Sequence, residues 1–598
     1  MKVRRIAPIL MAALTISAQT VPSTVEGIVV DMATNTPLSN ATIELSSPGD
    51  ASQRYPAVTS LNGQFVVRGA QPGRYSLTVS RSGYLRAQYG QRGPNGVASI
   101  LTIIAGQRST GIRLSMMRGS SISGRVYDQD GAPAVNAQIH AWKISYSTGW
   151  RLAIPVVSQL TNDLGEYRLF GLPPGLYYVS AQPEPAVHIR SPSYASMAPL
   201  APGAVVTSVS GGMFSALPDP AFARPGGRAE WAPVYFGNTT DEYAATPIRV
   251  QPGTELSGTD ILIKRTQTIT VTGVVIGRNG QPATGPISVI ATPSANLRFH
   301  ATSSITVLGG VLSVAAAMPV RINSMGRFAM PSMSAGSYTF TAFLAGPNGT
   351  TLTGEAAALV LGTPTEVSIT LSPTLNIEGR LITEGAAAGV APDLSTMRIR
   401  AVSTITALAD GAVVTPSASG AFTLSGVGRG NYALRVAPIS PLNGVAPSPE
   451  VSAAWKNAYV KSARLGSVDV LSDGFRIENP SDARLEVVIG LDGGTVTGIA
   501  RDNNRTPLAN VTVALVPNDP QRQRFDLYRS TSTDENGKYQ LNAIPPGSYK
   551  VFAWEDIEPQ SWYDNALMRT YEDLGKAVTI AEGSTQSIEI NAASPFER

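Results

Sequence analysis

The chain carries three histidines, His140, His188 and His300, and no cysteine. Hydrolytic zinc needs about three protein ligands around an open position, commonly two imidazoles and a carboxylate. Glu184 stands four residues before His188, but Pro183 and Pro185 deny that segment the helix that would align the pair. Three unrelated strand or loop histidines are therefore the expectation. Nucleophilic chemistry has no Gly-x-Ser-x-Gly elbow to work from. Gly426-Val-Gly-Arg-Gly430 has the look of a phosphate cradle, yet it leads into a strand, so no helix N-terminus awaits a phosphate. Asp128-Gln-Asp130-Gly131 offers two carboxylates to calcium, although the same residues make a hairpin turn. The expectation is a chain that is not an enzyme, with no catalytic residue, no metal ligand and no cofactor.

What recurs is a phrase of glycines and aromatic rings. It reads Gly63-Gln-Phe65 with Gly73-Arg-Tyr75, Gly165-Glu-Tyr167 with Gly175-Leu-Tyr177, and Gly326-Arg-Phe328 with Gly336-Ser-Tyr338. Two further copies are Gly420-Ala-Phe422 with Gly430-Asn-Tyr432, and Gly537-Lys-Tyr539 with Gly547-Ser-Tyr549. Inside every copy the two glycines are ten residues apart, while successive copies lie 94 to 161 residues apart. A constant short spacing within a variable long one predicts five autonomous domains of one fold rather than a solenoid with a shared core.

Each glycine opens a run of period-two alternation, such as Phe422 and Leu424, then Tyr432, Leu434 and Val436. That pattern marks strands with one buried face. Polar turns such as Thr533-Asp-Glu-Asn-Gly537 and corners such as Ile544-Pro-Pro-Gly547 separate the runs. Every unit also has an opening strand with a glycine: Glu26-Gly-Ile-Val29, Ser123-Gly-Arg-Val126, Thr272-Gly-Val-Val275, Glu378-Gly-Arg-Leu381 and Thr497-Gly-Ile499. A closing hairpin is expected where Val578 to Gly583 leads into Ser587 to Ile590. About seven strands per unit predict an antiparallel Greek-key β-sandwich. The 57 glycines, 44 prolines and a charged fraction of only 15% suit many short strands and turns. The one helical candidate is a short stretch around Trp455 to Tyr459.

The combination of opening glycine, Pro-Leu-x-x-Ala, Thr-Asp-x-x-Gly-x-Tyr and Leu-Pro-Pro-Gly-x-Tyr-x-Val resembles the carboxypeptidase regulatory-like domain. The resemblance implies a transthyretin-like sandwich within the carbohydrate-binding-like folds. It is strongest in the first, second and fifth copies. In the third and fourth the proline corner becomes Ser332-Met-Ser-Ala-Gly336 and Gly426-Val-Gly-Arg-Gly430. Such domains accompany peptidases or outer-membrane receptors, or stand in tandem in secreted bacterial proteins, and the tandem form is the one implied here. The expected fold class is all-β: five transthyretin-like sandwiches arranged as beads on a string. The expected divisions are a signal peptide over 1–18 and sandwiches over 24–116, 118–266, 267–373, 374–491 and 493–593, with a long loop at 182–228.

Lys2, Arg4 and Arg5, the apolar run Ile6 to Ile16 and the small pair Ser17-Ala18 have the layout of a secretory signal peptide. Export to the periplasm, outer surface or exterior follows as an expectation. No other run is suited to span a bilayer. The 46 Lys and Arg include those three signal residues, leaving 43 against 42 Asp and Glu, a net charge of +1. Near-neutral charge without a basic stripe predicts no nucleic-acid partner. Rings outside the alternating pattern are the candidate contacts: Trp231, Tyr235 and Phe236 in the second unit, and Trp554, Trp562 and Tyr563 in the fifth. Aromatic planes can stack on sugar faces, with Glu558, Asp564 or Asn565 fixing orientation, or they can form a hydrophobic lid on each sandwich. The partners this leaves are a polysaccharide or a cell-envelope protein. The reading is a secreted, non-catalytic scaffold or binding protein; alternatives are a carbohydrate-binding protein and an accessory component of a peptidase.

Overall fold

The structure is a computed structural model describing residues 23–147, 150–183, 233–264, 269–293, 297–299, 305–308, 311–314, 320–333, 335–346, 349–361, 365–385, 392–404, 412–438, 453–472, 474–479 and 482–594. The expected signal peptide, residues 184–228 of the long loop, Trp231, His188 and His300 lie outside those residues. The chain divides into two compact units: one ends at Met116 and omits residues 90–98, and the other holds those residues and the chain from Met117 on. Strands dominate throughout, and they fall into many separate sheets.

The fifth sandwich shows the plan with seven strands. One sheet runs Lys538–Ile544, Gly494–Arg501, Thr585–Asn591, and the facing sheet runs Arg529–Ser532, Thr512–Pro517, Gly547–Trp554, Lys576–Ile580. Val496, Val513, Leu515, Tyr539, Leu541, Tyr549 and Val551 fill the space between them. Four equivalent clusters form around Phe65 and Tyr75, Tyr167 and Tyr177, Phe328 and Phe340, and Phe422 and Tyr432.

Two features differ from the expectation. The opening strand pairs antiparallel on one side but parallel with the closing strand on the other, as in Gly494–Arg501 with Thr585–Asn591. The same parallel pairing recurs in the other four sandwiches. Second, Lys576–Ile580 and Thr585–Asn591 belong to different sheets, so the expected closing hairpin is an arch over the end of the core.

The recurrent phrase has a physical cause at two positions. The first glycine of each copy adopts φ between 70° and 83°, a left-handed turn that a Cβ disfavours. Its carbonyl accepts the opening strand's amide at 2.8–2.9 Å: Val29 to Gly63, Val126 to Gly165, Val275 to Gly326, Leu381 to Gly420 and Ala500 to Gly537. The aromatic two residues on then stands directly across from the opening-strand glycine: Phe65 from Gly27, Tyr167 from Gly124, Phe328 from Gly273, Phe422 from Gly379 and Tyr539 from Gly498. In four of these pairs the ring occupies the space where a glycine Cβ would stand; in all five the closing strand's carbonyl crowds the same point. An aromatic laid over a strand glycine restores the packing that the missing side chain forfeits.

In three copies the threonine four residues before the first glycine has its own bonds. Thr59, Thr161 and Thr533 bury their hydroxyls, donating to Leu38, Ala134 and Leu508 carbonyls at 2.6–2.7 Å and accepting from Ala41, Ala137 and Val511 amides at 2.8–2.9 Å. Each hydroxyl ties the turn before the first glycine to the turn after the opening strand.

A Cβ at Gly498 would overlap the Ile588 carbonyl and the Tyr539 ring, whereas one at Gly49 would meet nothing within 4 Å. Gly498→Ala is expected to cost about 3 kcal/mol through overpacking. Gly49→Ala should fall within about 0.5 kcal/mol of wild type. Denaturant unfolding of the full chain measures both.

Candidate functional site

The fifth sandwich carries a second apolar layer on the outside of its larger sheet. Val513, Leu515, Val551 and Ala553 point into the core, and their alternates Ala514, Val516, Phe552 and Trp554 form the outer face. In the first sandwich the residues in the same register are Glu44, Ser46, Thr78 and Ser80. An apolar outer face must be covered. The cover is the segment after Trp554: a turn at Ser561–Tyr563 and a helix at Asn565–Tyr571, with the turn Phe525–Leu527 beside them. Trp554 stacks on Phe552 at 5.6 Å and on Trp562 at 6.5 Å, and Tyr571 meets it edge-on at 5.7 Å. Tyr563 packs against Tyr528 at 4.5 Å and Phe525 at 5.5 Å.

Charged groups pin this lid. Asp564 caps the helix, its Oδ1 accepting from the amides of Ala566 and Leu567 at 2.8 and 3.2 Å. Glu572 accepts from Arg522 and Lys550, both at 2.7 Å. Burial pushes the Glu572 carboxyl up, but the two cations outweigh it and hold it below the usual glutamate value. The lid also meets the second sandwich: Lys143 pairs with Glu558 at 2.6 Å, and Arg151 bonds both Asp564 oxygens at 2.5 and 3.2 Å.

The candidate rings thus separate into two places. Trp554, Trp562 and Tyr563 come together in the lid, with Trp554 1% and Trp562 8% exposed. Tyr235, 4% exposed, sits on the outer face of the second sandwich with Trp142, Ile144 and Ala153, while Phe236 packs against that sandwich's inner core. As packed, Tyr235, Trp554 and Trp562 have no open face, and stacking on a sugar would require the covering segments to lift. Tyr84 and Tyr89 lean on the first core, and the Tyr84 hydroxyl donates to Asp31 at 3.0 Å.

The other chemistry-bearing residues are spent on structure. Asp128 Oδ1 accepts from the amides of Asp130 and Ala132 at 3.0 and 2.9 Å, and Asp31 and Asp502 hold their turns the same way. His140 lies beside Trp142 at 5.6 Å with its Nδ1 buried and unpartnered, and burial pulls its pKa down to about 4. Among the described residues, no three His, Cys, Asp or Glu side chains are placed to share a metal ion. Trp455 is buried and donates to the Thr396 hydroxyl at 2.7 Å; of the expected short helical stretch, residues 455–457 form a turn that leads into the strand Tyr459–Leu465. The helix Asn565–Tyr571 lies where the sequence pattern gives no helical expectation.

One buried acid stands out. Glu242 is 6% exposed, and burial raises its carboxyl from 4.5 to about 7, with the neighbouring Asp241 adding to the rise and the Tyr243 bond opposing it. A carboxyl raised by folding contributes stability that is whole below about pH 4.5 and lost as pH climbs through about 7.

Residues 24–111 and 495–592 match the family model described as the Carboxypeptidase regulatory-like domain. These are the first and fifth sandwiches, two of the three copies in which the motifs are strongest. A search of curated proteins found no match. Among solved structures, the Bacillus anthracis TIE protein aligns at 12% identity over 59% of this chain and 51% of its own, with a TM-score of 0.15. A streptococcal ancillary pilin aligns at 11% identity over 59% of this chain and 99% of its own, TM-score 0.18. GBS52, the minor pilin of Streptococcus agalactiae, aligns at 11% identity over 41% and 97%, TM-score 0.20. The chain spans about half the length of the first of these. Scores this low say nothing of role.

Two outcomes are expected of substitutions here. Trp562→Ala should lower the stability of the fifth sandwich by about 3–5 kcal/mol, read by denaturant unfolding. Glu242→Gln should match wild type at pH 4 and exceed it at pH 8 by about 3 kcal/mol, the size of a rise of two to three pKa units; equal stability at both pH values would place the carboxyl in water.

Proposed function

We propose that the chain is an exported, non-catalytic scaffold or binding protein of the bacterial cell envelope, built from tandem transthyretin-like sandwiches. The observation that carries this reading is where the reactive side chains go. Asp31, Asp128 and Asp502 hold turns, Glu572 and Asp564 hold the lid, and Lys143 and Arg151 are paired to that lid. A nucleophile needs an adjacent base and a place for the reacting atom; these groups are instead saturated by structural partners. The five cores, each with its own ring-over-glycine pair, support repetition for reach or valency. The match of the first and last sandwiches to a regulatory-like domain supports the non-catalytic part of the reading. Among the described residues no helix is long and apolar enough to cross a membrane. Partners would be engaged by loops or by strand addition at a sheet edge.

Export is tested by fractionating cells that make the full chain and sequencing the N-terminus of the recovered protein. Loss of residues 1–18 and recovery outside the cytoplasm are expected. An intact Met1 in the cytoplasm, or stoichiometric zinc with chelator-sensitive hydrolysis, contradicts the reading.

A further inference from the structure

In each sandwich the closing strand lies beside the opening strand, and its outer edge is handled differently from copy to copy. In the first sandwich it bulges: the register with the opening strand shifts between Val25 and Gly27, where Gly111 turns left-handed at φ 77°. In the second it is broken into Glu255–Leu256 and Ile261–Leu262. In the third, Gly354 of the long strand Gly349–Val360 presses against the Thr370 carbonyl at the end of the closing strand. In the fourth the edge is filled: Tyr459–Leu465 pairs antiparallel with Leu485–Gly490. Bulges, breaks and covers are the devices by which sheets avoid unwanted strand pairing.

The fifth sandwich has none of them. Thr585–Asn591 follows Thr495–Arg501 for seven residues without a register shift, contains neither proline nor lysine, and pairs with no other strand among the described residues. Five of its seven residues are exposed. Hydrogen bonds fix which amides are free. Thr495 N–H donates to the Ser584 carbonyl, and Ala592 N–H donates to the Arg501 carbonyl. In a parallel ladder this phase points the even-numbered residues at the opening strand and turns the N–H and C=O of Ser587 and Glu589 outward.

The fourth sandwich shows what such an edge accepts. Leu485 and Ile588 occupy the same place, each opposite the opening-strand glycine, so Glu486 corresponds to Glu589. The strand that fills the fourth edge sets Arg464 opposite Glu486 and Leu465 opposite Leu485, with Ala463 buried. We infer that the outer edge of Thr585–Asn591 is a strand-acceptor site for an extended segment of a partner protein. The segment would run antiparallel over about seven residues, with a small or apolar residue facing the core. Glu589 already accepts from Arg501 at 3.1 and 3.2 Å, so the outward backbone groups rather than this carboxylate would hold the segment. This inference rests on the binding-protein reading above and makes one of its modes of engagement specific.

The test uses the full chain and a synthetic peptide of residues 457–467, which contains the strand that fills the fourth edge. Saturable binding is expected, with new hydrogen-exchange protection at the Ser587 and Glu589 amides and little change at Ile588 and Ile590. Glu589→Pro removes one outward amide and should weaken binding at least tenfold. Should that variant misfold, the wild-type chain is tested instead with peptides N-methylated at alternate amides: methylation on the bonding edge should weaken binding at least tenfold, and methylation on the other edge should leave it unchanged. Absent binding, or binding without protection at Ser587 and Glu589, overturns the inference while leaving export and the scaffold reading intact. A dimer of the chain protected at those same amides would assign the edge to a second copy and overturn it as well.

Discussion

An aromatic ring lying over a strand glycine is the interaction on which every sandwich depends. The ring needs the glycine because a Cβ there would collide with the closing strand's carbonyl and, in four of five copies, with the ring itself. The glycine needs the ring because a bare strand position packs poorly and weakens the sheet. The first glycine of the phrase supplies the turn that brings the ring's strand back, and its carbonyl closes the loop on the opening strand's amide two residues beyond the glycine that the ring covers. Three strands are thereby locked by two glycines and one aromatic. In the second and fifth copies the ring is a tyrosine whose hydroxyl also donates to the closing strand, to Thr259 at 2.6 Å and Ile588 at 2.8 Å.

That local character explains what was legible in the sequence. A glycine, a ring two residues on and a second glycine ten residues away describe one hairpin and its neighbour, so spacing alone predicted repeated sandwiches and the ten recurrent rings that are buried in their cores. The closing arch reads as a hairpin because Val578 and Ile588 both alternate correctly for strands, and alternation does not say which sheet a strand joins. The helix Asn565–Tyr571 escapes a pattern reading because two turns give too short a period. Its cover over Trp554 did leave a signal: where the first copy alternates Ile43, Glu44, Leu45, Ser46, the fifth reads Val513, Ala514, Leu515, Val516. A strand that loses its polar alternates is buried on both faces.

Contacts between distant copies had no such signal. Lys143 and Glu558 are 415 residues apart, and Arg151 and Asp564 are 413 apart. Within the second unit the fourth and fifth sandwiches meet in a further way, with Arg435 over the Phe525 ring at 4.8 Å and Lys461 pairing Glu582 at 3.1 Å. A short strand, Leu297–Phe299, joins the second sandwich's sheet alongside Arg151–Ala153. These are side-chain and edge contacts laid on top of complete cores. The partly exposed ion pairs add little to stability in water and chiefly set orientation.

If the cores are self-sufficient, damage to one ring should stay within its own sandwich. The direct measurement is hydrogen exchange across the full chain for leucine variants of Phe65, Tyr167, Phe328, Phe422 and Tyr539, one at a time. Each variant should lose protection first in the strands of its own copy, with the other four copies close to wild type. Uniform loss of protection along the chain from any one substitution would show a merged core and contradict the account.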